Sequence, residues 1–235
     1  MRPLSAADML HLWEHARRRS TVERALLLLE AALPDAPAEH LADLSIGRRD
    51  AALLALRVAT FGRELSGCID CPACGERLEF ILDACALQLP ARADAPIVAA
   101  GLSFRLPTSR DLATAITETD PERVARRVAE LCLLSAGSEA ASCEWPDAMV
   151  AEIESRMTEA DPQADLELDF ACNACRHSWT TAFDIGEFFW EEIQAHATRL
   201  VLDVHLLARA YGWTEQEVFA LGEARRATYI DLVSA

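Results

Sequence analysis

Over the first 62 positions apolar residues recur at helical spacing, and short polar signals mark where helices begin. Ser5 with Asp8, and Ser20 with Glu23, have the spacing of capping boxes, in which side chain and backbone satisfy each other. "PDAP" at 34–37 breaks the pattern. Ser45 then caps a third predicted helix, "IGRRDAALLALRVATF", with Leu54, Val58 and Phe61 on one face. Beyond Phe61 the period changes from helical to alternating. Leu65 and Ile69 precede a C-x-x-C pair, and Leu78, Phe80 and Leu82 follow it. "IVAAGLSFRL" predicts a hairpin that turns at Ala100-Gly101. Helical spacing resumes after it, with Asp120-Pro121 as cap and first turn. Strands return at "DLELDF" and "SWTTAF". Phe189, Ile193, Leu200, Val204 and Leu207 then follow a helical stripe, and Thr214 with Glu217 caps a last helix after "YGW".

The pattern predicts an α+β fold, mainly helical, with a small antiparallel zinc-ribbon-like sheet closed by two C-x-x-C knuckles. Its expected parts are N-terminal helices (1–62), the sheet (63–108 and 163–186), a helical insert (109–162) and a C-terminal helical pair (187–235).

An internal repeat changes the meaning of the cysteines. Aligning Cys71 with Cys172 and Cys74 with Cys175 also aligns Leu65 with Leu166, Ile69 with Phe170, Leu78 with Trp179, Leu82 with Phe183 and Asp83 with Asp184. Each copy reads as strand, C-x-x-C turn, strand, and neither alone completes a metal site. A structural zinc takes four tetrahedral ligands, and paired C-x2-C knuckles supply two each. Cys71, Cys74, Cys172 and Cys175 are therefore the expected ligands of one structural zinc per chain; the alternative is paired buried free thiols. Cys68 continues an equal spacing with Cys71 and Cys74, but it aligns with Asp169 and lacks the Pro and Gly that suit a knuckle turn. An iron–sulfur reading of that triplet wants a further cysteine where Leu78 stands. Cys68 is read as a bystander and His177 as at most a neighbour of the ligands. Cys85, Cys132 and Cys143 are read as ordinary small residues.

Charge narrows the function classes. The chain of 235 residues carries a formal net charge of −16. Its first 62 residues balance eight Arg against eight acids, so the excess lies beyond them. Nucleic-acid affinity rests largely on neutralising phosphates, and this balance opposes it. Every basic residue is Arg, which removes the lysine of a P-loop, a Schiff base or a kinase site. No G-x-S-x-G or Gly-rich nucleotide motif is present. "HLWEH" at 11–15 matches an H-x-x-E-H pattern, but no third-ligand helix follows, and it reads as an amphipathic helix. "RRR" at 17–19 reads as a helix end, where cations complement the dipole. The longest apolar run, "ALLLLEAAL", is too short for a bilayer, and no targeting signal is visible. A cytoplasmic protein without a catalytic set is expected, and no nucleic-acid or membrane partner.

Five segments then carry a resemblance: "LSIGRRDAALLALRVATFG", "CPACGERLEF", "SFRLPTSRDL", "DPQADLELDFACNAC" and "YGWTEQEVFALGEARRATYIDL". Their order from Leu44 to Leu232 resembles the T-even-phage-type baseplate hub assembly chaperones, which accompany phage tails and bacterial contractile injection systems; residues 1–43 match nothing comparable. The resemblance implies a non-enzymatic assembly factor that binds a hub, spike or tape-measure component of a contractile tail. A permanent baseplate subunit is the alternative, with a zinc-ribbon nucleic-acid regulator and a metallohydrolase behind it. The expected contact surfaces are the helical insert and the C-terminal helical pair.

Overall fold

The computed structural model describes residues 1–90, 95–116, 120–135 and 145–234. It is mainly helical, with small antiparallel sheets. The N-terminal helices are α1 (Ala6–Ala16), α2 (Thr21–Ala32), α3 (Ala38–Ala42) and α4 (Ile46–Phe61). Both expected capping boxes form: Ser5 and Asp8 open α1, and Ser20 and Glu23 open α2. Arg2 grips the Asp8 carboxylate at 2.5 and 2.8 Å, and this ion pair, with the Ser5 hydrogen bonds, holds that carboxyl well below the usual range. Ser45 caps α4 through the Arg48 N–H, and Gly62, at φ 90°, ends it. The short α3 lies just past "PDAP", where the sequence pattern shows only a break.

The long helix α8 (Ile185–Tyr211) packs against α1, α2 and α4 and completes the main core. Leu28, Leu29, Leu53, Leu54, Leu56, Phe189 and Ile193 are fully buried there, each worth about 1.5–3 kcal/mol by removal from water. One buried charge ties α4 to α8. The Arg57 guanidinium, 3% exposed, donates two parallel bonds to Glu192 at 2.9 and 2.6 Å and a third to the Gly62 carbonyl. That arrangement satisfies a charge that would otherwise be costly to bury.

Among the described residues the strands form three separate sheets rather than one. β1 (Glu64–Asp70) pairs with β2 (Arg77–Asp83), and β6 (Glu167–Ala171) pairs with β7 (Ser178–Ala182), each as a two-stranded hairpin. The predicted hairpin at Ala100-Gly101 forms, both turn residues having positive φ, but it does not join the knuckle strands. Its strands, β3 (Ile97–Ala99) and β4 (Leu102–Phe104), continue into β5 (Leu133–Ser135). Between β4 and β5 lie α5 (Ser109–Ala115) and α6 (Pro121–Cys132), and α7 (Asp147–Ala160) follows. This sheet and α6–α7 share a second core built on Phe104, Cys132, Trp145 and Ile153. The unit inserted between the knuckle hairpins thus begins near Ile97, not at 109, and includes a sheet. The reason is apolar: Ile97, Ala99 and Phe104 are buried against α6 and α7.

Asp161 fastens this unit to the bundle. Its carboxylate accepts the Gly47 N–H at 2.9 Å in the first turn of α4, where backbone donors lack helical partners. A Cβ on Gly47 would lie 1.9 Å from that carboxylate, so glycine makes the approach possible. Beside it, Ile46 donates to the Pro107 carbonyl at 3.1 Å, and Ser45 bridges to Thr108.

After α8 the chain forms α9 (Glu215–Ala220), opened by the Thr214–Glu217 capping box, and α10 (Glu223–Ser234). The C-terminal part therefore has three helices where the pattern predicts two. Gly222 stands between α9 and α10, and the Arg226–Asp203 pair at 3.0 Å holds α10 to α8. Among the described residues no helix is long and apolar enough to cross a membrane.

Candidate metal centre

Each hairpin tip is built by the same backbone turn. In the first, Cys71 N–H donates to the Glu76 carbonyl at 2.8 Å, and Gly75 N–H donates to Cys71 at 2.9 Å. In the second, Cys172 donates to His177 at 2.8 Å, and Arg176 donates to Cys172 at 2.9 Å. These pairs correspond one for one under the sequence repeat. Gly75 adopts φ 74° at no steric cost, whereas its counterpart Arg176 takes φ 64°, where an L side chain costs about 1–2 kcal/mol. The turn geometry is therefore kept even where the residue does not favour it.

The two tips meet. The Sγ atoms of Cys71, Cys74, Cys172 and Cys175 all lie within 4.8 Å of one another, an arrangement able to hold a metal ion. Cys71 approaches Cys175 at 3.7 Å, and Cys74 approaches Cys172 at 3.7 Å. First cysteine meets second and second meets first, the reciprocity of a two-fold axis between like surfaces. A tetrahedron with metal–sulfur bonds of ~2.3 Å has sulfur–sulfur edges of roughly 3.8 Å, which these two contacts match. Cys71 and Cys172 are 2% exposed, while Cys74 and Cys175 face solvent.

Crowding splits the thiols electrostatically. The Cys175 N–H, aimed at the Cys172 sulfur, brings that thiol down to about 7 against the opposing loss of solvation, with help from the Ala174 N–H. The Glu76 N–H favours the Cys74 thiolate, but contact with Cys175, lost solvation, and contacts with Cys172 and Cys71 together push it up to about 12. Four thiolates at this spacing need a cation among them; a bound metal deprotonates its thiols outright.

Apolar support below the sulfurs is thin. Along β1–β2 and β6–β7 exposed and half-buried positions alternate, and Leu65 is the fully buried strand residue. Phe80 meets Phe170 edge-on at 5.4 Å, Phe170 stacks on Trp179 at 5.6 Å, and Trp179 stacks on His177 at 5.9 Å. Gly67, directly opposite Phe80 in the register, leaves room for its ring; a Cβ there would come 2.6 Å from it. This ring ladder is invisible in cysteine spacing, although a glycine facing an aromatic across a hairpin is a signal for it.

The other candidates fall outside the cluster. Cys68 is exposed on β1 and accepts from Arg77 at 2.7 Å. His177 contributes its carbonyl to the turn and its ring to Trp179. Cys85 is exposed, Cys132 is buried in the second core, and Cys143 lies outside the described residues. In "HLWEH" the rings of His11 and His15 lie 4.2 Å apart, and His15 Nδ1 donates to the His11 carbonyl; the four-cysteine group is the metal-capable cluster found among the described residues.

No family model, curated protein or solved structure matches this chain.

Proposed function

We propose that the four-cysteine centre binds one structural zinc, and that the protein is a non-enzymatic assembly factor for the baseplate hub or spike of a phage-like contractile tail. Thiolate ligands in a tetrahedral set favour zinc, and four of them leave no open position for water or substrate. Zinc would supply charge neutralisation and a rigid link; the chain's residues supply the rest. Cys71 and Cys74 anchor the hairpin that leaves α4, and Cys172 and Cys175 anchor the one that enters α8. The link therefore joins the two hairpin tips, at the ends remote from where the chain enters and leaves the inserted unit, whose surface is left for partners. Solution of purified protein for elemental analysis should return one zinc per chain.

One observation carries the assembly reading. Four of the five segments that resemble the hub assembly chaperones, those between 44 and 175, converge in space. Gly47 meets Asp161, Ser45 and Ile46 meet Thr108 and Pro107, and one knuckle meets the other. They make up the joints of the molecule, so their order follows from one architecture. The acidic surface argues against the nucleic-acid reading. Deleting the gene and purifying particles tests the role: loss of intact tails, with the protein absent from wild-type particles, is expected. Normal particles would overturn the assembly role, and fixed stoichiometry in finished particles would replace it with a permanent subunit.

A further inference from the structure

α6 and α7 lie side by side and turn matching helical stripes into one groove of about 380 Å³. Glu122, Ala125 and Arg126 come from α6, and Asp147, Val150, Ala151 and Glu154 from α7, at the i, i+3, i+4 spacing of a single helix face. The floor is apolar and small: two alanines flank Val150, which is 7% exposed. The rim is acidic. Its one cation, Arg126, is already engaged by the Trp145 carbonyl and by Asp147 at 2.7 Å, which leaves Glu122 and Glu154 to set the field. A shallow apolar floor between two helices, bordered by carboxylates on a chain of net charge −16, is complementary to one kind of ligand.

We propose that this groove docks a basic amphipathic helix of a partner protein. One bulky apolar side chain sits on Val150 between Ala125 and Ala151, and Lys or Arg of the partner pairs with Glu122 and Glu154. The proposal rests on the assembly reading for the partner's identity, not for its chemistry.

A fluorescein-labelled peptide of roughly 18 residues, five helical turns of Leu and Lys patterned as an amphipathic helix, is the probe. Its Leu/Glu counterpart is the charge control. Anisotropy with the full chain at physiological salt should show saturable binding of the Lys peptide alone. Ala151→Trp fills the groove at an exposed position without changing charge and should weaken binding about tenfold or more. Glu122→Gln with Glu154→Gln should do the same, whereas Glu64→Gln with Glu167→Gln, on the exposed faces of β1 and β6, should leave binding unchanged. Equal binding by Ala151→Trp and the wild type, equal loss in both charge pairs, or no binding of the Lys peptide would overturn the proposal. Particle assembly after gene deletion reads the other hypothesis, so either can fail alone.

Discussion

The helical bundle and the knuckle hairpins solve the same problem with different means. In the bundle, Leu28, Leu29, Leu53, Leu54 and Leu56 are 0% exposed in a core shared by α1, α2, α4 and α8. In the hairpins the strands are at best half-buried beyond Leu65, and two of the four clustered thiols face solvent. A lone two-stranded hairpin is marginal in water. These two, with 97 residues between their C-x-x-C pairs, meet through the Phe80–Phe170 contact and the four clustered sulfurs. Apolar area stabilises the bundle; the hairpin pair instead brings together four cysteines able to hold a metal ion, and in the proposed reading that cation joins the two.

The largest expected effect attacks that division directly. Chelation, or Cys71→Ser, should remove the metal and with it binding energy on the order of 10 kcal/mol. Hydrogen exchange should then accelerate across 64–83 and 167–182 while most helical circular dichroism persists. Full metal content in Cys71→Ser, or hairpins still protected after chelation, would erase the contrast. Trp190→Ala strikes the other side. Trp190 is 1% exposed beneath the Arg24 guanidinium, and its loss should cost about 3–5 kcal/mol in global denaturant unfolding. Metal content of the folded fraction should not change.

A smaller effect, about 3 kcal/mol, comes from Asp50 in the bundle. Burial raises its carboxyl from 3.8 to about 6; the Arg49 charge at 2.7 Å offsets this only in part, and Asp184 and Asp161 add to it. The folded state therefore holds this proton to higher pH than the unfolded chain does. Its contribution is full below about pH 4 and is lost as pH rises through about 6, at 1.36 kcal/mol per pH unit between the two values. Urea unfolding of wild type and Asp50→Asn at pH 4 to 7 should differ by that slope; parallel pH profiles would refute it. Smallest of all is Cys68→Ser. The residue is exposed and outside the cluster, so stability should change by less than about 0.5 kcal/mol, with metal content unaltered. Loss of metal would place Cys68 among the ligands.

Local signals were legible wherever the physics is local. The capping boxes at Ser5, Ser20 and Thr214, the Ala100-Gly101 turn and both knuckles each depend on residues within a few positions of one another. The internal repeat extended that reach, because two copies of one turn imply a meeting point for their sulfurs. Sheet membership did not follow in the same way. The alternation of "IVAAGLSFRL" specifies a hairpin and a buried face, but not which apolar surface covers that face. α6 and α7 supplied the cover, so β3 and β4 left the knuckle strands and took β5 as neighbour. Gly47 and Asp161 show the same limit, since nothing near either residue announces a partner 114 positions away. The sequence by itself determined the caps, the turns and the cysteine pairing. Only the tertiary structure decided which faces met, because burial is non-directional and any apolar face satisfies another until shape, charge and chain connection choose between them.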